Sequence, residues 1–172
     1  DLSGRMLSIR NVGSQKLAND VNRGRLAAVL VTRRTGALDT VLSLRGADNQ
    51  VRQVGTRERP MWIQTQLMGS VNEQALLFPD GWIGVVRVEP YRVEWRSPEG
   101  MITSGPVIPW EAPLSNTTEK RAYAERHRKR FGAASEVPEM PWAERLAPIR
   151  GGTLATPEGS ILIARSQWSQ IT

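Results

Sequence analysis

A chain of 172 residues is long enough to bury a core as one domain, or as one domain with an arm. It has no cysteine, which excludes disulfides and thiolate metal sites, and no run of about 18 apolar residues that would cross a membrane as a helix. A net charge of +6 and a pI near 10.7 favour acidic partners: nucleic acid, an anionic membrane face or an acidic protein.

Nearly all of the positive charge is arginine, since Lys16, Lys120 and Lys129 are the only lysines. Arginine suits bidentate pairing with carboxylates and phosphates, and burial in interfaces; a GC-rich genome would enrich it as well. The sequence begins at Asp1 rather than methionine. A processed chain or a piece of a longer one is therefore expected, with any signal peptide or lipid anchor upstream.

Residues 1–25 contain SIRNVGSQKLANDVNRGR, polar and without sustained periodicity, and predict a loop-rich arm. The pattern changes at Leu26. LAAVLVTR and LDTVLSLR read as two strands of a hairpin, joined by a turn at Arg34-Thr35-Gly36. In the second, Leu38, Thr40, Leu42 and Leu44 share one face, and Asp39, Val41, Ser43 and Arg45 the other. GADNQ then predicts a loop, and VRQVGTRERP a polar connector ending at a proline.

The next segment, QALLFPDGWIGVVRVEPYRVEWRSPEGMITSG, alternates strand-like runs with turns. Val85, Val86, Val88, Tyr91, Val93 and Trp95 are the β-branched and aromatic types that strands prefer, and Pro90 marks a bend between two runs. Pro79-Asp80-Gly81, Pro98-Glu99-Gly100 and Pro157-Glu158-Gly159 have one form. Proline presets φ, the acid bonds to backbone, and glycine takes the positive φ that closes the turn. These turns lie 19 and 59 residues apart, an imperfect period.

GPVIPWEAPLS, residues 105–115, holds three prolines and predicts an extended connector. A helix follows from Thr117 to Phe131, with Thr117 or Thr118 as cap, Glu119 at its positive end and Gly132 as its stop. EVPEMPWAERLAPI then leads to a last hairpin, GGTLATPEGSILIARS. Short strands with recurring glycine turns predict a sandwich, barrel or propeller, and at about 40–45 residues per blade the chain would supply about four blades.

ALDTVLSLRG, LFPDGWIGVVRVEPYRVEWRSPEG and MPWAERLAPIRGGTLATPEGSILIARS resemble blades of bacterial extracytoplasmic six-bladed β-propellers, related in architecture to the NHL and TolB-type families. The resemblance spans Leu26–Arg45 and Ala75–Arg165, with the helix as an insertion. It implies a mainly β domain over residues 26–172, with propeller-like antiparallel sheets and one inserted basic helix, and makes residues 1–25 an arm or a partial blade. Six blades need more than 172 residues, so a partial or shortened propeller is implied. Its open sheet edges would need a cover, which a partner protein can provide.

Little in the sequence points to catalysis. His127, the sole histidine, shares a helix face with Tyr123 and Phe131, a face expected to pack onto the sheet. No second histidine and no cysteine could complete a metal site, and no phosphate-cradling glycine loop is present. Asp80, Glu99 and Glu158 are read as turn residues, not as acids and bases. No cofactor is implied.

Two features point to binding. Lys120, Arg121, Arg126, Arg128, Lys129 and Arg130 crowd onto the helix, either as a solvated face or as a contact for an acidic protein or anionic lipid; no helix-turn-helix, RNP or zinc-finger pattern accompanies them, which disfavours nucleic acid. Of six tryptophans, Trp82 and Trp95 are expected in the core. Trp62, Trp110, Trp142 and Trp168 either seal its rim or anchor a partner or membrane interface.

The expectation is a non-catalytic, periplasmic interaction or scaffold protein, peripheral to a membrane. In its narrowest form it is an extrinsic subunit of a large membrane complex, such as a bacterial photosynthetic reaction centre with its antenna. Residues 105–115 and the tryptophans would bury against that host. A hydrolase or lyase on a propeller scaffold, with a pocket of converging Asp, Glu, Arg or His127, and a nucleic-acid module using the helix are the alternatives.

Overall fold

The computed structural model describes residues 1–17 and 21–165, in ten strands and one helix. Strands β1 (Arg5–Lys16), β2 (Val21–Thr32), β3 (Leu38–Gly55) and β4 (Pro60–Gln66) form one four-stranded sheet in sequence order. Strands β5 (Gln74–Leu77), β6 (Ile83–Val88), β7 (Tyr91–Arg96) and β8 (Ile102–Ser104) form a second. Helix α1 (Thr117–Phe131) follows, then a two-stranded sheet of β9 (Ile149–Ala155) and β10 (Ile161–Arg165). Every strand pair is antiparallel. The fold is thus mainly β with one helix, and no sheet closes on itself among the described residues.

The three sheets stack because the middle one is apolar on both faces. Ile83 and Val85 of β6 pack with Ala28, Leu30, Leu42 and Leu44 of the first sheet. Val86, with Tyr91, packs against Ile149 at the start of β9. A strand covered on both sides reads as a continuous apolar run, which is why IGVV lacks alternation. The first strands of the sheets, β1, β5 and β9, are neighbours in the order of the chain.

The three Pro-acid-Gly stretches are hairpin turns of one geometry. The amide of Gly81 donates to Phe78, that of Gly100 to Ser97 and that of Gly159 to Thr156, at 3.0–3.1 Å. The glycines have φ of 91°, 99° and 85°. A turn followed by a left-handed residue matches the right-handed twist of the strands it joins. Asp80 accepts from the backbone N–H of Trp82. The Ser97 hydroxyl and the residue's own amide lower the pKa of Glu99, while its own amide and the Thr156 hydroxyl do the same for Glu158.

Two segments differ from the sequence expectation. Residues 1–25 are not a loop-rich arm: β1 and the start of β2 run through them. Residues 46–50 are not a loop, and residues 51–55 are not a connector, because β3 continues to Gly55 and only residues 56–59 turn the chain into β4. These stretches are mostly polar, and only Leu7 and Ala47 among their apolar residues reach buried surroundings, so no apolar residue recurs with period two. Residues 9–16 of β1 are all exposed, as is nearly all of β4. Gly46 and Ala47 oppose the single Gly24 in a bulge that keeps β3 paired to β2.

The helix cap also differs. Asn116, not Thr117 or Thr118, caps α1, its Oδ1 accepting from the amides of Thr118 (2.8 Å) and Glu119 (3.3 Å). Gly132 ends the helix, its amide bonded to Arg128. Replacing Asn116 by alanine is expected to cost about 1 kcal/mol of helix stability, read as roughly fivefold faster amide exchange in the first turn. Unchanged exchange there would contradict the cap assignment.

Candidate functional site

The six helix cations are all exposed, and Lys120, Arg121, Arg128, Lys129 and Arg130 form no salt bridge with any described residue. Arg126 is exposed beside them. The Arg130 guanidinium lies over the ring of Phe131, itself largely exposed. The aromatic face of α1 does not pack onto a sheet as expected. Tyr123 meets Trp142 edge-on at 6.1 Å, in the connector that follows the helix, and His127 sits between Tyr123 and Phe131. Ser135 Oγ lies 3.4 Å from His127 Nδ1 but donates to the Gly132 carbonyl at 2.8 Å, so the hydroxyl is engaged with backbone.

The tryptophans are spread over separate surroundings. Trp62 is 67% exposed on β4, between Met61 and Ile63, which are also exposed. Trp110 and Trp142 are half-buried in connectors, and Trp168 lies outside the described residues. Trp82 and Trp95 are half-buried, not core, with Trp95 tilted against Phe78 at 5.3 Å.

Two charged clusters were not legible as sites. In the first, Arg87 of β6 bonds Glu73 and Glu94, each at 2.7 Å, and the Ser43 carbonyl at 3.0 Å. Arg92 adds a second partner to Glu94. Glu73 and Glu94 are buried between the first two sheets. Desolvation pushes the Glu94 carboxyl up, but hydrogen bonds from Arg87 and Arg92, with their charges, outweigh it and hold its pKa below the usual range. Arg87 is likewise desolvated, yet its two carboxylates keep its pKa raised. The arrangement is an ion-paired strut between sheets.

The second cluster borders a cleft of about 400 Å³ at the end of the sheets opposite the acidic-glycine turns. Its walls come from the β6–β7 turn, from connector residues 107–112 and from residues 143–148. Val88, Tyr91, Ile108, Trp110 and Leu146 give it apolar surface, with Arg45, Asp48, Glu89 and Arg145 as its charged groups. Asp48 accepts from Arg23 at 2.8 Å and Arg45 at 3.4 Å, and Arg45 also pairs with Glu89. The hydrogen bond to Asp48 leads the factors raising the Arg23 pKa. Burial raises the Tyr91 pKa, partly opposed by the charge of Arg165.

Both acids of the cleft are engaged by arginine, and His127 is not among its lining residues. No group of three or more His, Cys, Asp or Glu suited to a metal occurs among the described residues, and no described helix is long and apolar enough to cross a membrane. In the second cluster Arg23 meets Asp48 across 25 positions of sequence and Arg45 meets Glu89 across 44, so no local motif announced it. No protein-family model matches the chain, and neither the curated proteins nor the solved structures contain a match to it.

Proposed function

We propose that this chain is a non-catalytic interaction module of propeller-like build, an extracytoplasmic, membrane-peripheral part of a larger protein assembly. Support for the build comes from two successive antiparallel meanders of four strands and a two-stranded sheet, stacked face to face with their first strands adjacent, as blades of a propeller are. The observation that carries the interaction role is β4. This strand, PMWIQTQ, lies at the edge of its sheet with no charged residue, and Met61, Trp62 and Ile63 are exposed in succession.

Such an edge is one that proteins normally blunt with charge or cover with another element. A partner that adds a strand beside β4 and buries Trp62 satisfies both its backbone and its apolar side chains. The exposed cations of α1 favour an acidic partner surface and make association salt-dependent. Catalysis on the same scaffold is the weaker reading, because the cleft's Asp48 and Glu89 are both ion-paired.

The test is recovery of the partner by tagged full-length protein. Trp62→Lys is expected to lower partner recovery at least tenfold without moving the unfolding midpoint, since Trp62 is largely exposed. Undiminished recovery by that variant would refute the β4 interface. Which membrane complex is the host, a photosynthetic reaction centre included, is what the recovered proteins would report.

A further inference from the structure

The cleft between the β6–β7 turn and the two connectors is a second binding surface, separate from β4 and independent of the interaction reading. We propose that it takes a small organic anion: a flat apolar body of one or two rings, carrying a single carboxylate. Its volume of about 400 Å³ falls within the range of small-molecule sites, and like them it combines mainly apolar walls with few polar groups. Tyr91 and Trp110 supply aromatic surface for the ring, and Val88, Ile108 and Leu146 supply aliphatic surface.

The sign of the ligand follows from charge balance. Arg23, Arg45, Asp48 and Glu89 form a closed set of two cations and two anions. That set is neutral and its partners are mutually satisfied. Arg145 is left over: it lines the cleft, its Nη1 donates to the Ala112 carbonyl at 3.2 Å, and it pairs with no carboxylate among the described residues. Arg165 lies outside the cleft lining, its guanidinium 5.9 Å from the centre of the Trp110 ring, and is not counted in this balance. Glu111 and Glu144, next to the lining residues Ala112 and Arg145 in sequence, are exposed and line no part of the cleft. The uncompensated charge is therefore positive, and Arg145 offers the planar fork that fits a carboxylate.

The experiment is calorimetric titration of the full chain with matched probes: 3-phenylpropionate and 2-naphthylacetate, their neutral amides, and phenethylamine. The carboxylates are expected to bind at least tenfold more tightly than their amides, with the amine weakest. Arg145→Gln should remove that preference while leaving amide binding in place; because Arg145 is exposed, this variant is expected to keep the wild-type unfolding midpoint. Equal affinity for acid and amide, preference for the amine, an Arg145→Gln variant that still prefers the acid, or no binding by any probe would each overturn the proposal. None of these results depends on whether Trp62→Lys loses a protein partner.

Discussion

Replacing Arg87 by methionine is expected to cost about 3–5 kcal/mol of unfolding free energy, measured by urea denaturation, the loss typical when one partner of a buried ion pair is removed. The reason is what remains. Glu73 and Glu94 would stay buried between the first two sheets without the guanidinium that bridges them, and the Ser43 carbonyl would lose its donor. Glu89→Gln is the matched comparison. The Glu89 side chain is 72% exposed, so its pairing with Arg45 is screened by water and its loss should change stability by at most about 1 kcal/mol. Equal effects of the two substitutions would contradict the strut.

The same cluster fixes a pH dependence. In the unfolded chain Glu94 titrates near the ordinary glutamate value of about 4.3. In the folded chain desolvation is outweighed by Arg87 and Arg92, and the pKa is lower. A depressed folded pKa means stabilisation that is fully present above the unfolded value and is lost as pH falls through the folded one. Stability should therefore decline below about pH 4.3, and less steeply in Glu94→Gln. A variant with the wild-type acid slope would show that Glu94 does not contribute to it.

Gly46→Ala is the second large effect. A Cβ at Gly46 would sit 2.7 Å from the Cα and carbonyl carbon of Gly24 and 2.8 Å from its oxygen. All three are backbone atoms of the paired strand, so no rotamer change relieves the overlap. β2 and β3 must part at the bulge, at a cost of about 2–3 kcal/mol, the upper part of the range for overpacking. Gly152→Ala is the control, since its added Cβ meets nothing within 4 Å and its φ is not positive. That variant should stay within about 0.5 kcal/mol of wild type. A Gly46→Ala protein as stable as Gly152→Ala would mean that the two strands do not approach so closely.

What the sequence discloses about this fold depends on how local its causes are. Pro79-Asp80-Gly81 and its two counterparts are legible because one residue presets φ and another permits a positive one, within three positions. The helix from Thr117 to Phe131 is equally local, although Asn116 takes the cap expected of Thr117 or Thr118. The strand LDTVLSLR is legible because Leu42 and Leu44 enter a core and Ser43 between them does not.

β1, the far half of β3 and β4 escape detection for the opposite reason. Mostly polar and largely open to water in β4 and the second half of β1, they carry no apolar period, and backbone pairing to β2 and β3 is what chiefly defines them. The alternation of Tyr91, Val93 and Trp95 with Arg92, Glu94 and Arg96 looks like one wet face. Glu94 is nevertheless buried, because the first sheet covers that face and Arg87 neutralises it. The cleft is the least legible feature. Arg45, Glu89, Trp110 and Arg145 are scattered over a hundred positions and meet only through the stacking of sheets and the return of two connectors.

The interaction role is tested most directly by gentle purification from native cells, with quantitative mass spectrometry of what accompanies the protein. Recovery in fixed stoichiometry with a membrane assembly, with Trp62 and neighbouring β4 amides protected from solvent exchange, is the expected result. Recovery as a free monomer, with Trp62 still open to water, would contradict it.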